Sequence, residues 1–196
     1  MTESQLAPLA DWSDMGETEH FVQFYETDAF LVKSVASFIG AGLGSGDGAI
    51  VIATSGHRVA LRERLAAQGL DVESAETDGQ LVLLDANELL SQFMLNDMPD
   101  ELLFNEVIGG LVEKTANGRR GVRAFGEMVA LLWADGNHAG AIALEKLWND
   151  LAARHSFALF CAYPMSFFDG TKNGDAFLHV CGEHTRVLPS ESYAGN

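Results

Sequence analysis

The chain has 196 residues, of which 47% are hydrophobic and 20% charged. That is enough apolar material for one core of ordinary size and too much for intrinsic disorder. Twelve Lys and Arg against 28 Asp and Glu leave a formal charge of −16. Such a charge excludes nucleic acid as the expected partner, because phosphates need cations to neutralise them. It argues equally against an anionic membrane surface.

No run of 18 apolar residues is present, so no membrane-spanning helix is expected. Residues 1–19 contain no Lys or Arg, which does not fit a signal peptide. They read as a polar lead-in to a single domain over residues 20–190. Cys161 and Cys181 are too few for a disulfide framework and point to a reducing, cytoplasmic setting.

The apolar pattern starts at His20, and His20–Tyr25 reads as a first strand. Leu31, Val35, Phe38 and Ile39 then share one helical face. The run Gly40, Gly42, Gly44, Gly46, Gly48 reads as the end of that helix and a loop. Ala49–Ala53 is a strand of the buried type. A helix from about Gly56 to Gln68 follows, closed by Gly69. Leu81–Asp85 is a third strand. A short helix over Asn87–Leu95 comes next, then a longer one from Pro99, placed in its first turn, to about Asn117. Val122–Phe125 is a fourth strand, with a short helix expected after Gly126. Asn137–Arg154 is the clearest helix, with Ala141, Leu144, Leu147, Trp148 and Leu151 on one face. Phe157–Ala162 is a fifth strand, whose alternation puts Phe157, Leu159, Cys161 and Tyr163 on one side. Residues 173–186 read as helical or mixed. This alternation predicts an α/β three-layer sandwich with a mainly parallel central sheet of five or more strands.

In such a sheet, ligands sit beyond the carboxyl ends of the strands. Those ends carry Tyr25, Glu26, Thr27 and Asp28, then Thr54, Ser55 and His57, then Asp85, Glu127 and Tyr163. The pocket would be acidic and aromatic. A nucleotide is disfavoured. Neither Lys33-Ser34 nor Lys114-Thr115 follows a glycine, so no P-loop lysine is present. Glu26-Thr27-Asp28 would repel phosphate. The run Gly42 to Gly48 precedes a strand and lacks the dinucleotide spacing, because position 47 is Asp47.

Metal and catalytic motifs are equally missing. The sequence has no CxxC, no HExxH and no histidines four apart. A metal or haem site would need His20, Cys161 and Glu127 to be assembled by tertiary folding, and Cys161 could reach His20 only from an adjacent strand. Read plainly, Cys161 is a small core filler. There is no GxSxG elbow. Trp133, Trp148, Phe125 and Met128 form an aromatic and thioether group that suits either a core or a cavity wall. In an extended strand, His20 lies about 17 Å from Tyr25, at the opposite end.

Four stretches carry a family resemblance. They are His20-Phe21-Val22-Gln23-Phe24-Tyr25-Glu26, Phe38 to Thr54 with its Gly46-Asp47-Gly48, Arg123-Ala124-Phe125-Gly126-Glu127-Met128, and Cys161-Ala162-Tyr163-Pro164. On these the chain resembles the MEDS family of sensory domains over roughly residues 19–190. The resemblance implies a RecA-like or KaiC-like sheet without its phosphate loop. It also implies a non-catalytic module that senses a small, partly apolar molecule. The ligand residues expected on that basis are His20, Phe24, Tyr25, Glu26, Glu127, Cys161 and Tyr163. No catalytic residue, metal or cofactor is expected. Family members often adjoin kinase or DNA-binding domains, and this length leaves no room for one. The signal would therefore pass to a partner protein, a kinase or regulator, or through a homo-oligomer. Two rival readings are a protein-interaction module without a ligand and a degenerate nucleotide-binding protein.

Overall fold

The computed structural model describes residues 12, 18–168 and 174–192. The apolar runs form β1 (His20–Tyr25), β2 (Gly48–Ala53), β3 (Leu81–Asp85), a small hairpin of β4 (Met94–Leu95) and β5 (Met98–Pro99), then β6 (Val122–Gly126), β7 (Ala158–Pro164) and β8 (Arg186–Leu188). All but the hairpin pair as one parallel sheet in the order β3-β2-β6-β7-β1-β8. Parallel strands need crossovers, and crossovers put helices on both faces. The four central strands are therefore buried on both faces, all but Pro164 at the end of β7.

One face is covered by α1 (Asp28–Ser45), α2 (Ser55–Ala67) and α3 (Val72–Thr77). The other carries α4 (Ala86–Leu90), α5 (Glu101–Phe104), α6 (Gly110–Ala116), α7 (Met128–Ala134), α8 (His138–Ala152) and α9 (Gly174–Gly182). One turn of π-helix joins α5 to α6. Strand alternation divides the side chains between two cores. Phe21, Tyr25, Phe125 and Phe160 face α1, whereas Val22, Phe24, Cys161 and Tyr163 face α8. After β1 and β2 the chain crosses on the α1 face; after β6 and β7 it crosses on the α8 face. The sheet therefore has switch points between β2 and β6 and between β7 and β1, where crevices open at the strand ends.

Three expectations change, and two stretches gain detail. The glycines from 40 to 44 lie inside α1, which ends at Gly46 with φ +87. A Cβ on Gly42 would sit 2.5 Å from Cδ of Arg123, so Gly42 makes room for a side chain from β6. That guanidinium bonds Asp47 and the Phe38 carbonyl and lies over the Phe38 ring. The helix expected over Asn87–Leu95 stops at Leu90. Asn96 and Asp97, at φ 49 and 64, then turn the chain into the β4–β5 hairpin. Pro99 lies in β5, and Asp100 caps the following helix by accepting from the Leu103 N–H. Within the stretch read as helical or mixed, α9 spans Gly174–Gly182, and β8, starting at Arg186, adds a sixth strand beside β1. Trp12, within the expected polar lead-in, is buried against Phe21, Phe38 and Phe160.

Candidate functional site

A buried polar cluster interrupts the α8-side core. Register puts Leu159 opposite His20 and Cys161 opposite Val22. His20 and Cys161 are thus diagonal neighbours on one face, and His20 Nε2 lies 3.3 Å from Cys161 Sγ. Over them α8 brings Glu145, only 1% exposed. Its Oε2 is 3.3 Å from His20 Nε2 and 3.5 Å from Cys161 Sγ. Its Oε1 accepts from the Tyr163 hydroxyl at 2.8 Å and lies 3.4 Å from His184 Nε2. His184 arrives from the turn after α9, fixed by its neighbour Thr185. The Thr185 N–H and hydroxyl both donate to the His20 carbonyl.

Both rings are oriented from outside the cluster. Asn149, one turn along α8 from Glu145, donates its amide to the Glu183 carbonyl at 2.9 Å. Its Oδ1 is thereby left to accept from His20 Nδ1 at 2.8 Å. His184 Nδ1 donates to the Val180 carbonyl at 2.7 Å. In the neutral rings Nε2 is then a bare acceptor on both, turned towards the Glu145 carboxylate. His184 Nε2 is buried without a hydrogen-bond partner.

The charges follow from burial. Burial pushes His184 below its usual range, so its ring is neutral at pH 7. Burial, reinforced by the Glu145 charge, holds the Cys161 thiol and the Tyr163 phenol well above theirs. Burial opposes the Glu145 charge and the Tyr163 hydroxyl favours it; the two imidazoles add to its stabilisation only in their protonated forms. Fully buried carboxylates cost several kcal/mol unless bonded on all sides, and here each oxygen has partners.

A second polar group lies at the β2–β6 switch point. Glu127 Oε2 accepts from the Thr54 N–H at 2.7 Å, and Oε1 accepts from His57 Nδ1. His57 Nε2 is 3.6 Å from Asp28. The Glu127 hydrogen bond outweighs partial burial and raises His57 above its usual range. Burial first, then Glu127 and Asp28, push Tyr25 far up. Between two carboxylates the protonated form of the ring is favoured, so His57 serves as half of an ion pair and not as a free base. At the neighbouring switch point the Glu191 carboxylate accepts from the N–H groups of Glu26 (2.8 Å) and Thr27 (2.7 Å) and from the Thr27 hydroxyl. A helix start after the first strand is where nucleotide-binding sheets hold phosphate. Here the protein's own carboxylate occupies it.

The expected site residues therefore separate. His20, Cys161 and Tyr163 join, and Phe24 packs beside Tyr163, ring centroids 6.4 Å apart. Tyr25 packs on the α1 side of the sheet with Glu127 near it, whereas Tyr163 faces α8. Glu26 sits outside, bonded to Ser190 and Ser192. Glu127 does not join His20 and Cys161; Glu145 and His184 do. The sequence did carry a sign of Glu145. It stands four after Ala141 and three before Trp148, within the apolar stripe of α8, where a carboxylate needs partners. His184 follows a weakly patterned helix and had no such sign. Phe125 faces α1, away from Trp133, Trp148 and Met128.

Beside this cluster is an apolar cleft of ≈ 430 Å³. Phe24 forms its floor; Met165, Phe177, Val187, Leu188, Pro189 and Ser190 form its walls. Phe24, Phe168 and Phe177 pack ring to ring beneath it.

Fold and site together define an α/β domain with a wholly parallel sheet, closed phosphate positions and a polar cluster inside one core. The chain belongs to the MEDS family: the family model described as MEthanogen/methylotroph, DcmR Sensory domain, matches residues 19–185. It is thus of a sensory domain family. Among solved structures it is similar to one from Pyrococcus horikoshii OT3, described as a structural study of Project ID PH0250. That likeness has a TM-score of 0.56 at 10% identity and covers 89% of this chain and 83% of the other. At this identity the likeness concerns the fold. No curated protein matches the chain. No helix among the described residues is long and apolar enough to cross a membrane.

Proposed function

We propose that this chain is a cytoplasmic, non-catalytic sensory module whose small, partly apolar ligand occupies the cleft over Phe24. The observation that carries this reading is the cleft itself. Its volume suits a small ligand, its walls are aromatic and aliphatic, and Ser190 offers a polar anchor. The output is built from the same segment. Val187 to Ser190 line the cleft, and the next residue, Glu191, bonds the β1–α1 turn. A ligand that moves Leu188–Ser190 biases the Glu191 contact and changes the surface offered to a partner protein. Tyr163 links the cleft floor to Glu145.

A series of primary alcohols from ethanol to octanol tests this by calorimetric titration of the full chain. Each methylene that enters an apolar cleft contributes about 0.8 kcal/mol, or roughly fourfold in affinity. We expect affinity to climb with chain length and then level off as the cleft fills. Leu188→Trp, which fills the cleft, should abolish the climb. Amide exchange at Glu26 and Thr27 should change on ligand addition. Affinity that ignores chain length, or a Leu188→Trp protein that binds as before, would sink the reading.

A further inference from the structure

We propose that His20, Glu145, Cys161 and His184 are the four ligands of a divalent transition ion of the Zn²⁺ type. This inference rests on the cluster alone and is independent of the cleft.

Geometry comes first. One donor atom from each residue lies within 4.8 Å of all the others. Around Glu145 Oε2, His20 Nε2 lies at 3.3 Å and Cys161 Sγ at 3.5 Å, with 3.3 Å between those two, and His184 Nε2 lies 3.4 Å from the other carboxylate oxygen, Oε1. An ion with tetrahedral bonds of about 2.0–2.3 Å spaces its ligand atoms about 3.3–3.8 Å apart. The four residues come from β1, α8, β7 and the turn after α9, and each is positioned by its own element.

Proton counting comes second. Both rings commit Nδ1–H to outside acceptors, Asn149 Oδ1 and the Val180 carbonyl. In their neutral forms the two rings turn bare Nε2 atoms towards a carboxylate and a sulfur, with the protons of one thiol and one phenol to share among them. His184 Nε2, fully buried, has no hydrogen bond. A cation supplies what this group of acceptors lacks. Metal-bound histidines and carboxylates usually show such outer hydrogen bonds, and here Asn149, Val180 and the Tyr163 hydroxyl provide them.

Donor chemistry selects the ion. Two imidazoles, a thiolate and one carboxylate do not suit Mg²⁺ or Ca²⁺, which take oxygen shells. They suit Zn²⁺ and its tetrahedral relatives. On binding, the Cys161 S–H bond breaks, the proton leaves to solvent and a metal–sulfur bond forms. Thiolate and carboxylate then balance the 2+ charge. With four protein ligands the site is closed, so its role is to clamp the turn after α9 to the sheet.

The test uses the full chain, stripped with a chelator and titrated with Co²⁺. We expect saturation at one equivalent, with the strong visible absorption of tetrahedral cobalt and a thiolate-to-cobalt charge-transfer band. Cys161→Ser should remove that band, while Cys181→Ser should keep it. His184→Gln should weaken binding at least tenfold, and Asn149→Leu about 10–100-fold. Circular dichroism confirms that each variant is folded. If stripping unfolds the chain, refolding by Co²⁺ or Zn²⁺ but not Mg²⁺ supports the site. A folded chain that takes up no cobalt overturns it, as does a charge-transfer band that survives Cys161→Ser.

Discussion

At the scale of single residues, Glu127 shows how one carboxylate can close a crevice. One oxygen ties the end of β6 to the Thr54 N–H at the start of α2, and the other holds His57. That hydrogen bond is the largest influence on His57, outweighing partial burial, and Asp28 adds to it. The His57 ring in the wild type should therefore titrate above its ordinary 6.5. In Glu127→Gln the midpoint should fall back towards that value. The sign for stability follows. A raised folded-state value means the His57 contribution is fully present below the unfolded value and is lost as pH rises through the folded one. Ring-proton NMR of the two proteins checks this; identical midpoints would refute it. Sequence reading reached His20 and Cys161, because alternation along two strands fixes which side chains share a face. It did not reach their partners. Glu145 sits within a helical stripe that otherwise reads as plain core, and His184 depends on a turn whose position only the completed sheet defines.

At the scale of elements, α1 is where local and tertiary signals compete. Its apolar face was legible in Leu31, Val35, Phe38 and Ile39. Its length was not, because Gly40, Gly42 and Gly44 look like punctuation. The folded protein uses Gly42 to admit Arg123 from β6, a requirement set 81 residues further along the chain. The start of α1 is equally non-local. Thr27 is its N-cap, and Glu191 bonds the two amides just outside it. Burial works against the Glu191 charge, but the Glu26 and Thr27 N–H groups and the Thr27 hydroxyl outweigh it, so its carboxyl lies below the usual range. A lowered value means the contribution is present above the unfolded pKa and is lost as pH falls through the folded one. Glu191→Ala should lower stability by about 1 kcal/mol at neutral pH, the scale of a lost helix cap. The difference between the two proteins should shrink in acid. Urea melts at pH 7 and pH 3 measure both; an equal difference at the two pH values would show that the Glu191 charge is not what holds the turn.

At the scale of the whole molecule, the excess of 28 acidic over 12 basic residues is the dominant long-range force. The composition stated that charge from the outset, and the alternation of strands and helices implied the parallel sheet. What neither contained was the division of charge between surface and interior. The structure buries Glu127, Glu145 and Glu191 and gives each its own donors. The remaining excess lies where solvent reaches it and repels itself, which destabilises the compact state. Salt screens exposed charges over a Debye length of about 10 Å at 0.1 M and screens buried ones far less. Raising NaCl from about 0.02 to 0.5 M should therefore raise the melting temperature. A gain of about 1 kcal/mol corresponds to about 2–4 °C for a domain of this size. KCl should do the same, because screening depends on ionic strength and not on a bound ion. Cys161→Ser should show the same gain as the wild type, since the Glu145 charge lies beyond the reach of screening. Scanning calorimetry of both proteins in both salts separates the surface term from the buried one. A melting temperature flat in salt would mean that the surface carboxylates do not govern the stability of this domain, and a gain confined to the wild type would place the salt effect in the buried cluster.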